Sequence, residues 1–336
     1  MKIIVPMAGM GKRMRPHTLT NPKPLIPIAG KPIVQRLVEE IATVSDEKIE
    51  EIAFIIGDFG NKVEEKLIRI AESLGAKGSI FYQKEALGTA HAIYCAEASL
   101  SGKVVVAFAD TLFKADFDIK TGTEASIWVQ KIEDPSDFGV VKVDENNLIT
   151  DFVEKPKDFV SDLAIIGIYY FRDGDNLRNE LKYLIDNEIL VNGEYQLTDV
   201  LENMKNKGVK FQPNIIKEWM DCGNKNATVH TNQRILEYHK DDELIAKSAI
   251  IENTVLIPPC FIGEGVHIKD SIVGPHVSVG KGAIIEKAIV SNSIIQQHAT
   301  VNSITLTNSM IGNYAYVKDV TVELSIGDFT TITIDE

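Results

Sequence analysis

The sequence predicts an α/β domain built on a mainly parallel sheet, followed by a short parallel β-helix. In the first two-thirds of the chain, apolar strand-like segments alternate with helical patterns. This alternation is typical of βαβ units, whose sheet is covered on both faces. From about residue 246, apolar residues instead recur about every six positions, often followed by glycine or another small residue. A period of six fits neither an α-helix nor an amphipathic strand, and it indicates hexapeptide rungs.

The elements of the first domain follow from short apolar runs and from the residues that bound them. The predicted strands are Ile3–Val5, Glu51–Ile56, Ser79–Tyr82, Val104–Phe108 and Ala125–Gln130. The predicted helices are Ile33–Val44 after Pro32, Lys62–Leu74 before Gly75, and Thr89–Ala98 after a glycine. Ligands of such sheets bind at the carboxyl ends of the strands, so the loops that follow the strands are the candidate site.

The repeat places a second domain after a linking helix. Its apolar positions are Ile250, Leu256, Ile262, Ile268, Val273, Val279 and Ile285. The register slips near residues 272 and 290, which leaves an irregular β-rich tail as the alternative. The segment 228–242 predicts a helix. The expected organisation is therefore a first domain over 1–227, a linking helix within 228–246 and a β-helix over 247–330.

Composition narrows the class of protein. The 336 residues suit two domains, and 44% hydrophobic residues suffice for a packed core. A net charge of −13 argues against general binding to nucleic acid or to an anionic membrane. The three cysteines are scattered, which suits a reducing cytoplasm. The amino-terminal apolar run is too short for a signal peptide and no later segment could span a membrane, so we expect a cytoplasmic protein.

A glycine-rich basic loop follows the first predicted strand. It runs from Gly9 to Pro16 and carries Lys12, Arg13 and Arg15, with Lys23 just beyond. Glycines let the backbone approach a ligand, amide N–H groups point inward and cations neutralise charge, so the loop predicts a phosphate site. It contains no Walker motif, and Met14 occupies the third glycine position of a dinucleotide motif. A turn with solvated charges is the bland alternative.

These residues belong to a longer pattern. Gly9-x-Gly11-x-Arg13-Met14-x-Pro16-x-Thr18, Pro22-Lys23-Pro24-Leu25-x-Pro27 and Gly30-Lys31-Pro32 resemble the signature of sugar-1-phosphate nucleotidyltransferases, nearest to the glucose-1-phosphate thymidylyltransferase type. Lys12 departs from the usual threonine. The resemblance implies a Rossmann-like catalytic domain, and several members carry a left-handed β-helix after it. It therefore covers nearly the whole chain.

The resemblance also implies a metal site and a nucleotide site. Asp110 at a strand end and Asp221 in Trp-x-Asp-x-Gly would hold Mg²⁺, although Ala109 replaces the usual glycine. Gln83 would pair with the nucleobase through its amide. The other nucleotide-binding residues would be Ala8, Gly9, Gly11, Lys12, Gly88 and Thr89. Taken singly, each has a structural reading as a turn, a cap or a polar loop.

On the sugar side, the resemblance implies that Gly139 and Glu154 face hydroxyl groups, that Lys155 holds the sugar phosphate and that Gly167 lines the pocket. The segment 194–199 would shape this pocket. Ile165 stands where relatives acting on N-acetylglucosamine phosphate have asparagine, which argues against an amino sugar.

The predicted reaction is attack of a sugar 1-phosphate on the α-phosphate of a nucleoside triphosphate, with pyrophosphate leaving. Arg13 and Lys23 would stabilise the transferring and leaving phosphates, and Lys155 would neutralise the nucleophile. dTTP and glucose 1-phosphate are favoured, with UTP–glucose-1-phosphate or GTP–mannose-1-phosphate transfer as alternatives. An inactive regulatory subunit and a tail that also transfers acyl groups are the rivals. We expect a homo-oligomer assembled through the β-helix, with the active site within residues 1–235.

Overall fold

The computed structural model describes residues 1–116, 119, 122–319 and 323–333. The chain forms two compact units. The first comprises Met1–Gly9 and Leu37–Trp219, and the second comprises Met10–Arg36 and Met220–Glu336. The signature segment that follows Gly9 therefore belongs to the same unit as the carboxyl-terminal β-helix.

The helices are α1 (Ile33–Thr43), α2 (Asn61–Ser73), α3 (Thr89–Tyr94), α4 (Gly174–Asp186), α5 (Leu197–Asn206) and α6 (Lys225–Tyr238). The strands up to residue 221 are β1 (Lys2–Pro6), β2 (Pro27–Ile28), β3 (Lys31–Pro32), β4 (Glu51–Ile56), β5 (Lys77–Tyr82), β6 (Val104–Ala107), β7 (Thr111–Lys114), β8 (Ala125–Lys131), β9 (Val140–Val143), β10 (Ile149–Val153), β11 (Leu163–Phe171), β12 (Phe211–Ile215) and β13 (Glu218–Asp221).

The first unit is built on a nine-stranded sheet whose parallel half has the order β5-β4-β1-β6. In chain order this is 3-2-1-4, the Rossmann-like arrangement that the sequence predicts. β11 then runs antiparallel to β6 and also pairs with β8 and β9. β1, β4 and β6 are buried almost throughout, which explains their unbroken apolar sequences.

Among the predicted elements that extend beyond the observed ones, two have an identifiable cause. The helix predicted over Thr89–Ala98 ends at Tyr94, because the Ala96 amide bonds three residues back to Ile93 and a separate 3₁₀ turn follows at Glu97–Ser99. β6 ends at Ala107 rather than at residue 108, because the Phe108 amide bonds to the Gly167 carbonyl outside the regular ladder.

The β-helix of the second unit confirms the hexapeptide interpretation. Its strands are β14 (Ile250–Glu252), β15 (Val255–Leu256), β16 (Cys260–Ile262), β17 (His267–Lys269), β18 (Ile272–Val273), β19 (Val277–Val279), β20 (Ile284–Glu286), β21 (Ile289–Val290), β22 (Ile294–Ile295), β23 (Thr300–Asn302), β24 (Thr305–Leu306), β25 (Met310–Ile311), β26 (Tyr316–Lys318), β27 (Ser325–Ile326) and β28 (Thr331–Ile332). They stack into three parallel sheets.

The pairing of these strands explains why the six-residue register slips. Ile250 pairs with His267 and Ile284 with Thr300, so a rung takes 17 residues at first and 16 later, fewer than three full hexapeptides. The shortened sides still point one side chain inward, and the buried column runs through Ile262, Ile268, Val273, Val279, Ile285, Val290, Ile295, Val301, Leu306, Ile311 and Val317. Ile250, the first position of the repeat, lies outside this column: it is 54% exposed, and its neighbour Ile251 pairs with Ile268.

Candidate functional site

The topology of the first unit defines where a ligand would bind. The chain leaves β1 and β6, neighbours in the sheet, in opposite lateral directions, and the carboxyl ends of two such strands form the ligand crevice of a doubly wound sheet. Ala8 and Gly9 follow β1, and among the described residues no atom beyond the two chain neighbours lies within 4 Å of a Cβ placed on Gly9. Asp110 lies between β6 and β7. Three sequence-predicted residues therefore lie at one crevice.

Gly167 shapes the same edge of the sheet. Its φ of +85° lies in the left-handed region, and the register of β11 against β8 shifts around it. Its carbonyl accepts the Phe108 amide at 3.0 Å, and a Cβ on Gly167 would contact the Phe108 side chain at 3.4 Å. This bulge places Gly167 beside the residues that lead to Asp110.

Gln83 is oriented by the loop that follows β5. With the amide as assigned, its Nε2 donates to the Gly88 carbonyl at 3.2 Å and lies 3.1 Å from Nδ1 of His91. Burial lowers the pKa of His91 against the opposing charge of Glu85, so the imidazole is neutral and its Nδ1 can accept. Within the described residues, Oε1 of Gln83 makes no hydrogen bond and remains available as an acceptor.

Gly88 and Thr89 act on the backbone of the segment predicted to shape the sugar pocket. Gly88 has a φ of +108°, and a Cβ there would lie 2.4 Å from the Tyr195 carbonyl oxygen. The Ala90 amide donates to that carbonyl, and Oγ1 of Thr89 accepts from the Leu197 amide at 2.9 Å. In this structure the Thr89 hydroxyl therefore joins two loops of the first unit.

The residues predicted to face the sugar lie together. A Cβ on Gly139 would be 3.1 Å from Oε2 of Glu154, and the Gly139 carbonyl accepts the Ile165 amide at 2.8 Å. Lys155 follows Glu154 directly, with a φ of +41°, and its amide donates to the Phe138 carbonyl. The absence of a side chain on Gly139 leaves the Glu154 carboxylate uncovered on that side.

The surroundings of Glu154 disfavour the charged form of its carboxyl group. Partial burial raises its pKa above the ordinary value, the charge of Lys155 opposes this and the charge of Asp199 adds to it. Burial also raises the pKa of Asp199. A carboxylate held in its charged form against its surroundings gains most from hydrogen-bond donors supplied by a ligand.

In the second unit, contacts between neighbouring residues fix the conformation of the signature loop, which we define as residues 9–20; the signature segment is its continuation to Pro32. Gly11 has a φ of +57°, and a Cβ on it would meet the Thr18 and Lys23 side chains at 3.0 and 3.1 Å. Oγ1 of Thr18 donates to the Gly11 carbonyl at 2.8 Å. The loop then makes one 3₁₀ turn over Lys12–Met14, so that Lys12 and Arg13 are exposed while Met14 is buried. Lys23 opens a second such turn behind Pro22.

Arg13 and Asp221 approach the same point of this unit. A Cβ on Gly223 would lie 3.0 Å from both carboxylate oxygens of Asp221 and 3.3 Å from Nη2 of Arg13. The Gly223 amide donates to Oδ1 of Asp221 at 2.9 Å, and Oγ1 of Thr231 on α6 donates to the Asp221 carbonyl at 2.6 Å. Gly223 is thus needed so that a predicted phosphate ligand and a predicted metal ligand can converge.

The structure adds residues that the sequence patterns do not reveal. The buried Asn232 of α6 accepts the Ala29 amide and the Ser278 hydroxyl through its Oδ1, which ties the signature segment to the β-helix. A Cβ on Gly30 would lie 2.2 Å from the Phe261 ring of β16. Gly30 has a positive φ, a conformation that favours the glycine found at this position of the signature. Nothing in the sequence indicates that Phe261 is its neighbour.

The predicted metal ligands are the carboxylates of Asp110 and Asp221. Within the residues described, no three His, Cys, Asp or Glu side chains cluster as metal ligands. Mg²⁺ at nucleotide sites usually takes one or two protein carboxylates and completes its shell with substrate phosphates and water. Asp110 in the first unit and Asp221 in the second each carry carboxylate oxygens, the ligand type that a substrate-dependent Mg²⁺ site requires.

Comparison with known proteins defines the class of the chain. Residues 2–238 match the family described as Nucleotidyl transferase, and residues 241–302 match the family described as GlmU-like, C-terminal hexapeptide. The chain therefore belongs to the nucleotidyl transferase family and carries a hexapeptide β-helix of the GlmU-like type. The resemblance inferred from the signature loop is thereby confirmed.

Individual relatives match over most of the chain. The low-salt glycan biosynthesis nucleotidyltransferase Agl11 of Haloferax volcanii is 29% identical, with 94% of each chain covered. The glucose-1-phosphate thymidylyltransferase of Streptomyces antibioticus is 27% identical over 94% of this chain and 93% of its own. A solved UDP-glucose pyrophosphorylase in complex with UDP-glucose has a TM-score of 0.59 and 25% identity, covering 70% of this chain and 98% of that one.

No helix in the described part of the chain combines the length and the apolar character needed to cross a membrane.

Proposed function

We propose that the protein is a sugar-1-phosphate nucleotidyltransferase that uses a divalent metal, with dTTP and glucose 1-phosphate as its substrates. The observation that carries the proposal is the convergence of Arg13, from the glycine-rich loop, and Asp221, at the end of β13, on Gly223. A guanidinium and a carboxylate that lie this close together support binding of a metal-bound triphosphate, which needs both groups. The relative from Streptomyces antibioticus, named as a thymidylyltransferase, supports the nucleotide and the sugar.

The accepting Oε1 of Gln83 supports a pyrimidine with an imide N–H. Thymine and uracil present such a donor at N3, whereas cytosine presents an acceptor there. A hydrogen bond from N3–H to this amide does not distinguish thymine from uracil, because the two bases differ only by the methyl group at C5. UTP is therefore the second candidate, and the likeness to a solved UDP-glucose pyrophosphorylase favours it.

In the proposed reaction the protein positions two anions and stabilises charge. Arg13 and Lys23 stabilise the α-phosphate and the departing pyrophosphate, while Lys155 binds the sugar phosphate and offsets its charge. Glu154 accepts hydrogen bonds from sugar hydroxyls. Mg²⁺ held by Asp110 and Asp221 would supply further charge neutralisation at the phosphate oxygens.

A screen of pyrophosphate release tests this assignment. The four common ribonucleoside triphosphates and dTTP are each offered with glucose, mannose and N-acetylglucosamine 1-phosphates and Mg²⁺. We expect dTTP with glucose 1-phosphate to give the highest kcat/KM, with UTP second. A preference for GTP or for an amino sugar would overturn the substrate assignment. Absence of release with every pair would favour the inactive regulatory subunit.

Glu154→Gln should separate stability from function. Because the pKa of Glu154 is raised in the folded state, its charge costs stability as the pH rises through the ordinary glutamate range, and the cost is complete above the raised value. At neutral pH the variant should therefore melt no lower than wild type, while at pH values below that range the two should be equal. The KM for sugar phosphate should rise about tenfold or more, as expected for losing a charged hydrogen bond of about 1.5–3 kcal/mol.

Glu202→Gln on α5 is the control, since the Glu202 carboxylate pairs with Lys205 and Glu202 is not among the predicted sugar-binding residues. A lowered Tm with unchanged KM in Glu154→Gln would assign Glu154 a structural role instead.

A further inference from the structure

The second half of the signature loop is anchored on the final rung of the β-helix. A Cβ on Gly327 would lie 2.9 Å from Cβ of Pro16, so the loop lies directly against this rung. Nε2 of His17 is 3.2 Å from Oγ of Ser325 in β27. Oγ1 of Thr20 donates a hydrogen bond to the Asp328 carboxylate. These contacts join residues about three hundred positions apart, and all of them lie within the second unit.

The Asp328 carboxylate is itself fixed within the β-helix. Its Oδ1 accepts the Asn313 amide at 2.7 Å and is 3.2 Å from Nδ2 of the same residue. The carboxylate thus bridges the rung below and the Thr20 hydroxyl. Any displacement of this carboxylate would break hydrogen bonds to two segments, so the position of the loop is coupled to the position of the rung.

The same end of the β-helix also holds the turn that follows Asp221. Lys225, the first residue of α6, donates from Nζ to the Asn308 carbonyl at 2.8 Å and forms an ion pair with Glu323. Lys225 is 17% exposed, so solvent screens this pair only in part. One end of the β-helix therefore contacts both the loop that carries Arg13 and the turn that carries Asp221.

His17 contributes to this contact as a buried, uncharged imidazole that hydrogen-bonds to Ser325. It is 1% exposed, and burial lowers its pKa to about 4, with Asp328 opposing and Lys225 adding to the effect. Within the described residues its Nδ1 is buried without a hydrogen-bond partner. A buried imidazole with an unpaired nitrogen costs stability, so its place in the loop is explained better by positioning than by folding.

We propose that His17, Thr20 and Asp328 are positioning residues for nucleotidyl transfer: the final β-helix rung fixes the loop that presents Lys12, Arg13 and Arg15 to the triphosphate. This inference rests on the proposed function. None of the three contacts substrate in the proposal. They act by holding the cations in one arrangement, because small displacements of charged groups weaken transition-state stabilisation more than they weaken binding.

The test compares Thr20→Val, Asp328→Asn and the double variant in the full chain. Asp270→Asn is the matched control: this carboxylate accepts from Asn253 at 2.6 Å in the first rungs, away from the signature loop. We expect kcat to fall about tenfold in each single variant, the double variant to fall no further, and the KM for the triphosphate to change less than threefold. Asp270→Asn should retain wild-type kcat.

Hydrogen exchange of residues 9–20 provides a readout that does not depend on turnover. Asp328→Asn should speed amide exchange in this peptide, and Asp270→Asn should not. Unchanged kcat and unchanged exchange in Asp328→Asn would overturn the inference, as would a lowered Tm with wild-type kcat at 25 °C. If the wild type releases no pyrophosphate with any substrate pair, the proposed function fails, and the exchange result alone then decides whether the rung anchors the loop.

Discussion

Asp110→Asn and Asp221→Asn should each reduce Mg²⁺-dependent turnover by about a hundredfold or more. Each substitution removes a negative charge from a proposed metal ligand while keeping the size of the side chain. Loss of one preorganised charge contact in a site of this kind costs about 3 kcal/mol in the transition state, which corresponds to that factor. Steady-state assays over a range of Mg²⁺ concentrations measure the effect. We expect only partial recovery at high Mg²⁺.

The asparagine variants are informative because the fold should tolerate them. In Asp221→Asn the side-chain carbonyl can still accept the Gly223 amide, so the turn that brings Arg13 close is retained. Asp186→Asn is the control, since Asp186 forms an exposed ion pair with Lys182 at the end of α4. Wild-type turnover in either variant, with an unchanged Tm, would remove that aspartate from the metal site.

The sequence predicted those parts of the fold that depend on short-range patterns, such as apolar runs and glycine positions. The buried parallel strands read as unbroken apolar runs, and the crevice between the ends of β1 and β6 follows from alternation of strands and helices. Gly88 and Gly167 were singled out through family motifs, and both have φ values that other residues rarely adopt. The bulge in β11 that explains Gly167 could not be predicted, because a bulge depends on register against neighbouring strands.

Contacts between distant parts of the chain were missed for a different reason. Thr20 and Asp328, or Gly30 and Phe261, meet only because the signature segment and the β-helix belong to one compact unit. A single sequence carries no signal for such pairs: threonine and aspartate are ordinary surface residues, and an aromatic residue in a rung looks like any other outward-facing side chain. These contacts lead us to expect that a predicted active site within residues 1–235 still needs the β-helix for full turnover.

Removal of the chain after Asp241 should lower turnover by about a hundredfold or more. The truncation deletes Phe261 and Asp328, which contact the signature segment at Gly30 and Thr20. It also deletes Ser278, which donates to Asn232 of α6, the residue that accepts the Ala29 amide. Because all three anchors disappear at once, the effect should exceed that of substituting any one positioning residue. The truncation also exposes apolar residues of the unit that the tail covers, so a lower Tm should accompany the loss of turnover. Calorimetry, light scattering and pyrophosphate release measured on one preparation separate these effects.

A second variant distinguishes positioning from assembly. Val255, Ile272 and Ile289 pair in register on an outward face of the β-helix and remain 38–57% exposed, which makes them candidates for the interface of the proposed homo-oligomer. Ile272→Glu with Ile289→Glu should disrupt that face while leaving Asp328 and Phe261 in place. We expect this variant to lose oligomeric state but to keep per-site turnover, whereas the truncated chain loses both. Full per-site activity in the truncated chain would show that the β-helix serves assembly alone. Loss of activity in the double-glutamate variant, with its Tm unchanged, would show instead that assembly itself completes the site.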